Sequence, residues 1–93
     1  MKIEHKKFIN AGQFIASDGN ETTGELSYFC PDDNGIIINH TYVDKKYRGL
    51  GVGDSLVLEA IRFARSNNLK ITPQCTFVSH YFEKFTEDSD LLV

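Results

Sequence analysis

Cysteine is scarce in this chain. Its two cysteines, Cys30 and Cys75, are too few and too far apart for a disulfide framework or a zinc site, so reduced thiols and no metal are expected. Basic charge is also short, with 10 Lys and Arg against 13 Asp and Glu and a net charge of −3. That balance argues against a nucleic-acid partner, because such binders draw their affinity largely from cationic surface. No stretch approaches the roughly 18 apolar residues of a spanning helix, and no apolar run follows the charged opening MKIEHKKFIN. Neither a signal peptide nor a transit peptide is supported, no membrane partner is expected, and the expected compartment is the cytoplasm. Two familiar phosphate signatures are missing as well: there is no G-x-x-x-x-G-K-[ST] and no G-x-G-x-x-G.

What remains is the composition of a globular protein, 41% hydrophobic and 25% charged. Its 93 residues are expected to form one domain, 1–93, around one core. The informative stretch is Tyr47 to Ser55, YRGLGVGDS. Glycines at every second position follow Arg48 and run into an amphipathic segment. Without side chains at Gly49, Gly51 and Gly53, a ligand can approach the main chain, and glycine tolerates the φ values of a tight turn. The unpaired N–H groups of the helix's first turn then point outward, where the positive end of the dipole favours an anion. Arg48 adds a planar charged fork suited to phosphate oxygens. Lys45 and Lys46 extend a small basic patch, which alone reads as a solvated loop.

Along the chain, Lys7 to Ser17 reads as a strand with an irregularity at Gly12. Asp18-Gly19-Asn20 is a turn, Gly24 to Cys30 a returning strand, and Pro31 to Gly35 a second turn. Ile36 to Val43 is a third strand rich in β-branched residues. Alternation puts Ile36, Ile38, His40 and Tyr42 on one of its faces and Ile37, Asn39, Thr41 and Val43 on the other. With both faces largely apolar, this strand is expected to be central and covered on both sides. Leu56, Val57, Ala60, Ile61 and Ala64 form a helical stripe between Gly51 and Asn67. Lys70 to Phe77 then reads as a fourth strand parallel to the third, and Val78 to Thr86 as a short helix. The tail Asp90 to Val93 either adds an edge strand or packs. Pro73 cannot donate to a ladder, which marks an edge, a bulge or a point where two strands part.

A meander, an R-x-x-G-x-G turn, an amphipathic helix, a fourth strand and a short aromatic helix together resemble the GNAT superfamily of N-acetyltransferases. The resemblance runs from about Gly24 onward. The run HTYVDKKYRGLGVG and the segment with Pro73, Cys75, Phe77 and Val78 resemble its small single-domain GNAT-like branch. It implies an α/β fold with a mixed sheet, an antiparallel meander followed by a βαβ unit whose parallel strands splay. It also implies acetyl-CoA as cosubstrate and an amine as acceptor, with Arg48, Gly49, Leu50, Gly51, Val52 and Gly53 wrapping the CoA pyrophosphate. Larger members have acceptor-side helices between their first two strands, where this chain has only Asp18 to Thr23. The N-x-x-A-x-x-x-Y pattern of the superfamily, laid over Cys75, Val78 and Phe82, puts phenylalanine where the usual acid Tyr stands, with Tyr81 next to it.

Acetyl transfer needs a polarised carbonyl, a neutral nucleophile and a route for protons. Main-chain groups of Thr41, Tyr42 and Val43 serve the carbonyl if the strands part there. His40 has the intrinsic range of a base, and is otherwise a packed sheet histidine; Glu25 is a weaker base or a solvated strand residue. Cys75 sits where the parting strands and the arm of CoA meet, as a nucleophile that takes the acetyl group or as a buried inert thiol. Tyr81 is an acid or a core aromatic, and Cys30 is structural. The rival readings are a noncatalytic sensor of CoA or acyl-CoA and a nucleotide-binding adaptor. A monomer or a weak homodimer is expected, since the acceptor wall is incomplete.

Overall fold

Charged and apolar side chains alternate at the very start, and the alternation makes a strand. In the computed structural model, which describes residues 1–93, β1 (Lys2–Phe8) pairs antiparallel with β2 (Ala11–Asp18). Asn10, in the left-handed region at φ 62°, lies in the connection between them. The single strand expected over residues 7–17 is therefore a hairpin, and the meander has four strands rather than three. Gly12 is not the irregularity: its register is continuous with both neighbours, and the shift falls between Ala16 and Ser17. Gly12 is glycine because a Cβ there would collide with the hydroxyl end of Tyr28.

β3 (Glu21–Asp32) extends past the expected Gly24 to Cys30 at both ends and pairs antiparallel with β4 (Gly35–Val43). After the glycine-rich loop, α1 (Val52–Ser66) leads to β5 (Lys70–Pro73), which runs parallel to β4 from Gly35↔Lys70 to Ile38↔Pro73. The five-stranded sheet keeps chain order, β1-β2-β3-β4-β5. β5 stops at Pro73, short of the expected Phe77, and α2 (Thr76–Lys84) begins at Thr76 rather than at Val78.

The expected α1 stripe, Leu56, Val57, Ala60, Ile61 and Ala64, is buried throughout. It packs in one cluster with Phe14, Ala16, Leu26, Ile36, Ile38 and Ile71 of the sheet and with Val78, Tyr81 and Phe82 of α2. Full burial of one such Leu or Ile contributes roughly 1.5–3 kcal/mol. The opposite face has no helix. Ile15, Phe29 and Ile37 lie there half-buried and outside the cluster, so β4 is covered on one side and not on both. The tail packs through Leu91, bridges Leu92 to Ile71, and is tied to α1 by Arg65 with Asp88 at 2.7 Å and Asp90 at 3.0 Å. No helix is long and apolar enough to cross a membrane.

Candidate active site

One extra residue in β4 marks the point where the strand loses its β5 partner. Ser27 pairs with His40 but Tyr28 with Ile38, so Asn39 is a β-bulge. The bulge inverts the alternation expected from sequence: Thr41, opposite buried Leu26, joins the face of Ile36 and Ile38, while His40 and Tyr42 turn to the helix-free face. It also falls where β5 runs out. Beyond the Ile38↔Pro73 pair the Ile38 carbonyl accepts from the N–H groups of both Gln74 and Cys75, each at 3.0 Å, and the parallel ladder ends. Asp44 N–H donates to the Thr23 carbonyl at 2.8 Å. By antiparallel alternation, the backbone groups of Tyr42 and His40 then serve β3, and those of Thr41 and Val43 face the gap.

The glycine-rich loop, the stretch expected from sequence to cradle a phosphate, lies beside this gap. Asp44 caps a short 3-10 turn at Lys45–Tyr47, its carboxylate accepting from Lys46 N–H at 3.0 Å. The chain then turns through Gly49 at φ 81° and Gly51 at φ 83°, where an L side chain would be strained. Gly51 is the N-cap of α1 and offers no side-chain cap, so the N–H groups of the first turn have no capping oxygen. Gly53 is different: a Cβ there would come within 2.5 Å of the Phe77 ring, so close packing of α2 on α1 requires it. A cleft of about 470 Å³ follows, lined by Thr41, Tyr42, Val43, Tyr47, Arg48, Gly49, Gly51, Val52, Gly53, Asp54 and Phe77. Tyr47 is fixed by its hydroxyl, which donates to Glu21 at 2.9 Å, and Lys46 holds the same carboxylate at 2.7 Å.

The residues singled out from sequence divide by place. Thr41, Tyr42, Val43, Arg48, Gly49, Gly51, Val52 and Gly53 converge on the cleft, whereas Leu50 points into solvent at 70% exposure. Cys75 sits at the N-cap of α2 with its sulfur 3.6 Å from the Thr41 hydroxyl. Burial pushes its thiol up, but the hydrogen bond to Thr41 and the amides of Val78, Phe77 and Thr41 outweigh it, and the net shift is downward. Cys30 moves upward, through burial and then Asp32. His40 is on the helix-free face, exposed, with Nε2 3.7 Å from the Glu25 carboxylate. Tyr81 is buried, its ring against Phe82 and Phe85, and burial together with Asp54, Glu87 and Asp88 raises its hydroxyl. Sequence reasoning missed Tyr47, Asp54 and Phe77 as cleft walls. The Phe77–Gly53 contact had no signal in the sequence, since it depends on where α2 begins.

A family profile described as GCN5-related N-acetyl-transferase matches residues 13–91. Among solved structures, a GCN5-like protein from Staphylococcus aureus is 36% identical with a TM-score of 0.73, over 97% of this chain and 87% of that one. A Bacillus anthracis protein named as a streptothricin acetyltransferase, in complex with acetyl coenzyme A, is 30% identical with a TM-score of 0.63 over 81% of this chain. This chain spans 45% of that protein's length. A GNAT family acetyltransferase from Elizabethkingia anophelis with acetyl-CoA bound shares the fold at 22% identity and a TM-score of 0.64, over 81% of this chain and 52% of that one.

Proposed function

The chain belongs to the GCN5-related N-acetyltransferase family, and on that premise we propose that residues 1–93 act as one minimal domain that transfers an acetyl group from acetyl-CoA to an amine. The observation that carries this reading is the junction of two features. The uncapped first turn of α1, reached through Gly49 and Gly51, opens directly into the gap lined by Thr41 and Val43. A diphosphate suits the first feature, through dipole and amides, and an extended amide-bearing arm suits the second. The cleft volume is within the range of small-molecule sites. A relative at 30% identity in complex with acetyl coenzyme A supports the choice of ligand.

In this reading Arg48 and the main chain from Gly49 to Gly53 hold the phosphates, Leu50 contributing its backbone only, and Thr41, Tyr42 and Val43 orient the arm. Cys75, its thiol favoured toward thiolate by Thr41 and the first turn of α2, takes the acetyl group. A sulfur–carbon bond to Cys75 forms as the thioester bond breaks, and the amine then displaces the Cys75 sulfur. The cradle lies at the helix side of the sheet, so an acceptor reaches the gap across the helix-free face, where His40 and Glu25 stand together and receive the amine's proton. Tyr81, buried on α2 where it feels the Asp54 charge, is the phenol we assign to protonating the departing thiolate.

Release of the CoA thiol from acetyl-CoA, measured against a panel of amines and peptide N-termini, tests the proposal. A second reading, a noncatalytic CoA sensor, is favoured by the uncovered face, which gives an acceptor no enclosing wall. Tight CoA binding without thiol release toward any acceptor selects the sensor.

A further inference from the structure

We propose that Arg48 gates the gap, so that a donor seats its pantetheine arm only when it also brings a diphosphate, which makes the cleft specific for acyl-CoA over acyl-pantetheine. This rests on the cofactor reading above. Arg48 does not point freely into solvent. Its Nε–H donates to the Val43 carbonyl at 3.1 Å, and its guanidinium carbon lies 5.9 Å from the centre of the Tyr42 ring. Both partners belong to the stretch of β4 beyond the bulge. The Val43 carbonyl is one of the groups that alternation turns toward the gap. An extended chain carrying amides would pair with the free edge of β4 through such groups, as a peptide adds to a sheet edge. The guanidinium therefore covers an acceptor that the arm needs.

Chemistry favours release of this contact by phosphate. A neutral carbonyl and an exposed aromatic ring are weak partners for a guanidinium, whereas phosphate oxygens accept two parallel charge-assisted bonds. No other cation lines the cleft, and Asp54 lines it as an anion. Lys46 is held by Glu21 at 2.7 Å. A diphosphate entering the cradle thus has Arg48 as its one side-chain counter-charge there, and drawing Arg48 onto the phosphates uncovers Val43. A pantetheine thioester alone must displace Arg48 with nothing to receive it.

The test compares CoA and S-acetylpantetheine in binding titrations, with and without inorganic pyrophosphate. For the wild-type protein, pyrophosphate is expected to tighten S-acetylpantetheine several-fold. Arg48→Ala is expected to weaken CoA by roughly tenfold or more, to tighten S-acetylpantetheine, and to abolish the pyrophosphate effect. Arg48→Lys keeps a cation but lacks the planar fork; it should retain more CoA affinity than the alanine variant and less than the wild type. If Arg48→Ala weakens both ligands, or leaves S-acetylpantetheine unchanged, Arg48 is a plain phosphate ligand and the gate is overturned. Absence of a pyrophosphate effect in the wild type overturns it equally. Failure of the wild type to bind CoA at all is a different result: it removes the cofactor reading and the gate together.

Discussion

The tip of the Phe77 ring rests on the first turn of α1, so that a Cβ on Gly53 would approach its Cζ to 2.5 Å. Phe77 is 41% exposed, which lets the ring swing away. Gly53→Ala is therefore expected to lower stability by only about 1 kcal/mol but to push Phe77 across the cleft and weaken CoA binding. Adding Phe77→Ala should restore much of the lost stability. A double-mutant cycle by denaturant unfolding reads the coupling, and additive effects would contradict the contact.

Gly51 makes the opposite case. Nothing lies within 4 Å of a Cβ built on it, yet its φ is 83°. Gly51→Ala should cost about 1–2 kcal/mol through backbone strain alone, lowering the melting temperature by roughly 4–8 °C per kcal/mol. A melting temperature equal to wild type would show that the turn relaxes.

Much of this was legible in advance, and the failures have physical causes. The α1 stripe and its boundaries followed from helical period and from Gly51 and Asn67 as flanks. β1 escaped because its outward residues Lys2, Glu4 and Lys6 are charged and, of Ile3, His5 and Lys7 that turn toward the core side, only Ile3 is apolar. The faces of His40 and Thr41 were exchanged because the bulge at Asn39 is a tertiary event at the parting of two strands, with no mark in the sequence itself. Glycine spacing marked the loop that lines the cleft, but it could not tell that Gly49 and Gly51 serve the turn while Gly53 serves packing.

Cys75 and Cys30 provide an internal comparison. The Cys75 thiol is shifted down and the Cys30 thiol up, so thiolate forms on Cys75 at the lower pH. Near neutral pH, iodoacetamide should label the Cys75 peptide faster than the Cys30 peptide by mass spectrometry. Thr41→Val removes the hydroxyl at 3.6 Å and should move the Cys75 labelling midpoint to higher pH. Equal labelling of both cysteines would argue against an activated thiol.

His5 anchors β1. Its ring stacks on Phe14 at 4.1 Å, meets Phe63 edge-on at 4.6 Å, and hydrogen-bonds the Tyr28 hydroxyl at 2.6 Å. Burial, with a smaller contribution from Lys7, holds its pKa below the ordinary value despite Glu59. Because the unfolded chain then binds the proton more readily, stability is complete above about pH 6.5 and falls as pH drops toward the folded-state value. His5→Phe should flatten that dependence in urea titrations between neutral and mildly acidic pH. A slope unchanged by the substitution would place its origin elsewhere.

The most direct measurement is a residue-resolved NMR titration of the wild-type protein with CoA. Amide shifts are expected at Gly49 to Asp54, at Thr41 to Val43 and at Phe77, with the far end of the sheet around Lys7 and Cys30 unmoved. Shifts that appear elsewhere and spare Gly49 to Asp54 would contradict the assignment of the cradle and the reaction built on it.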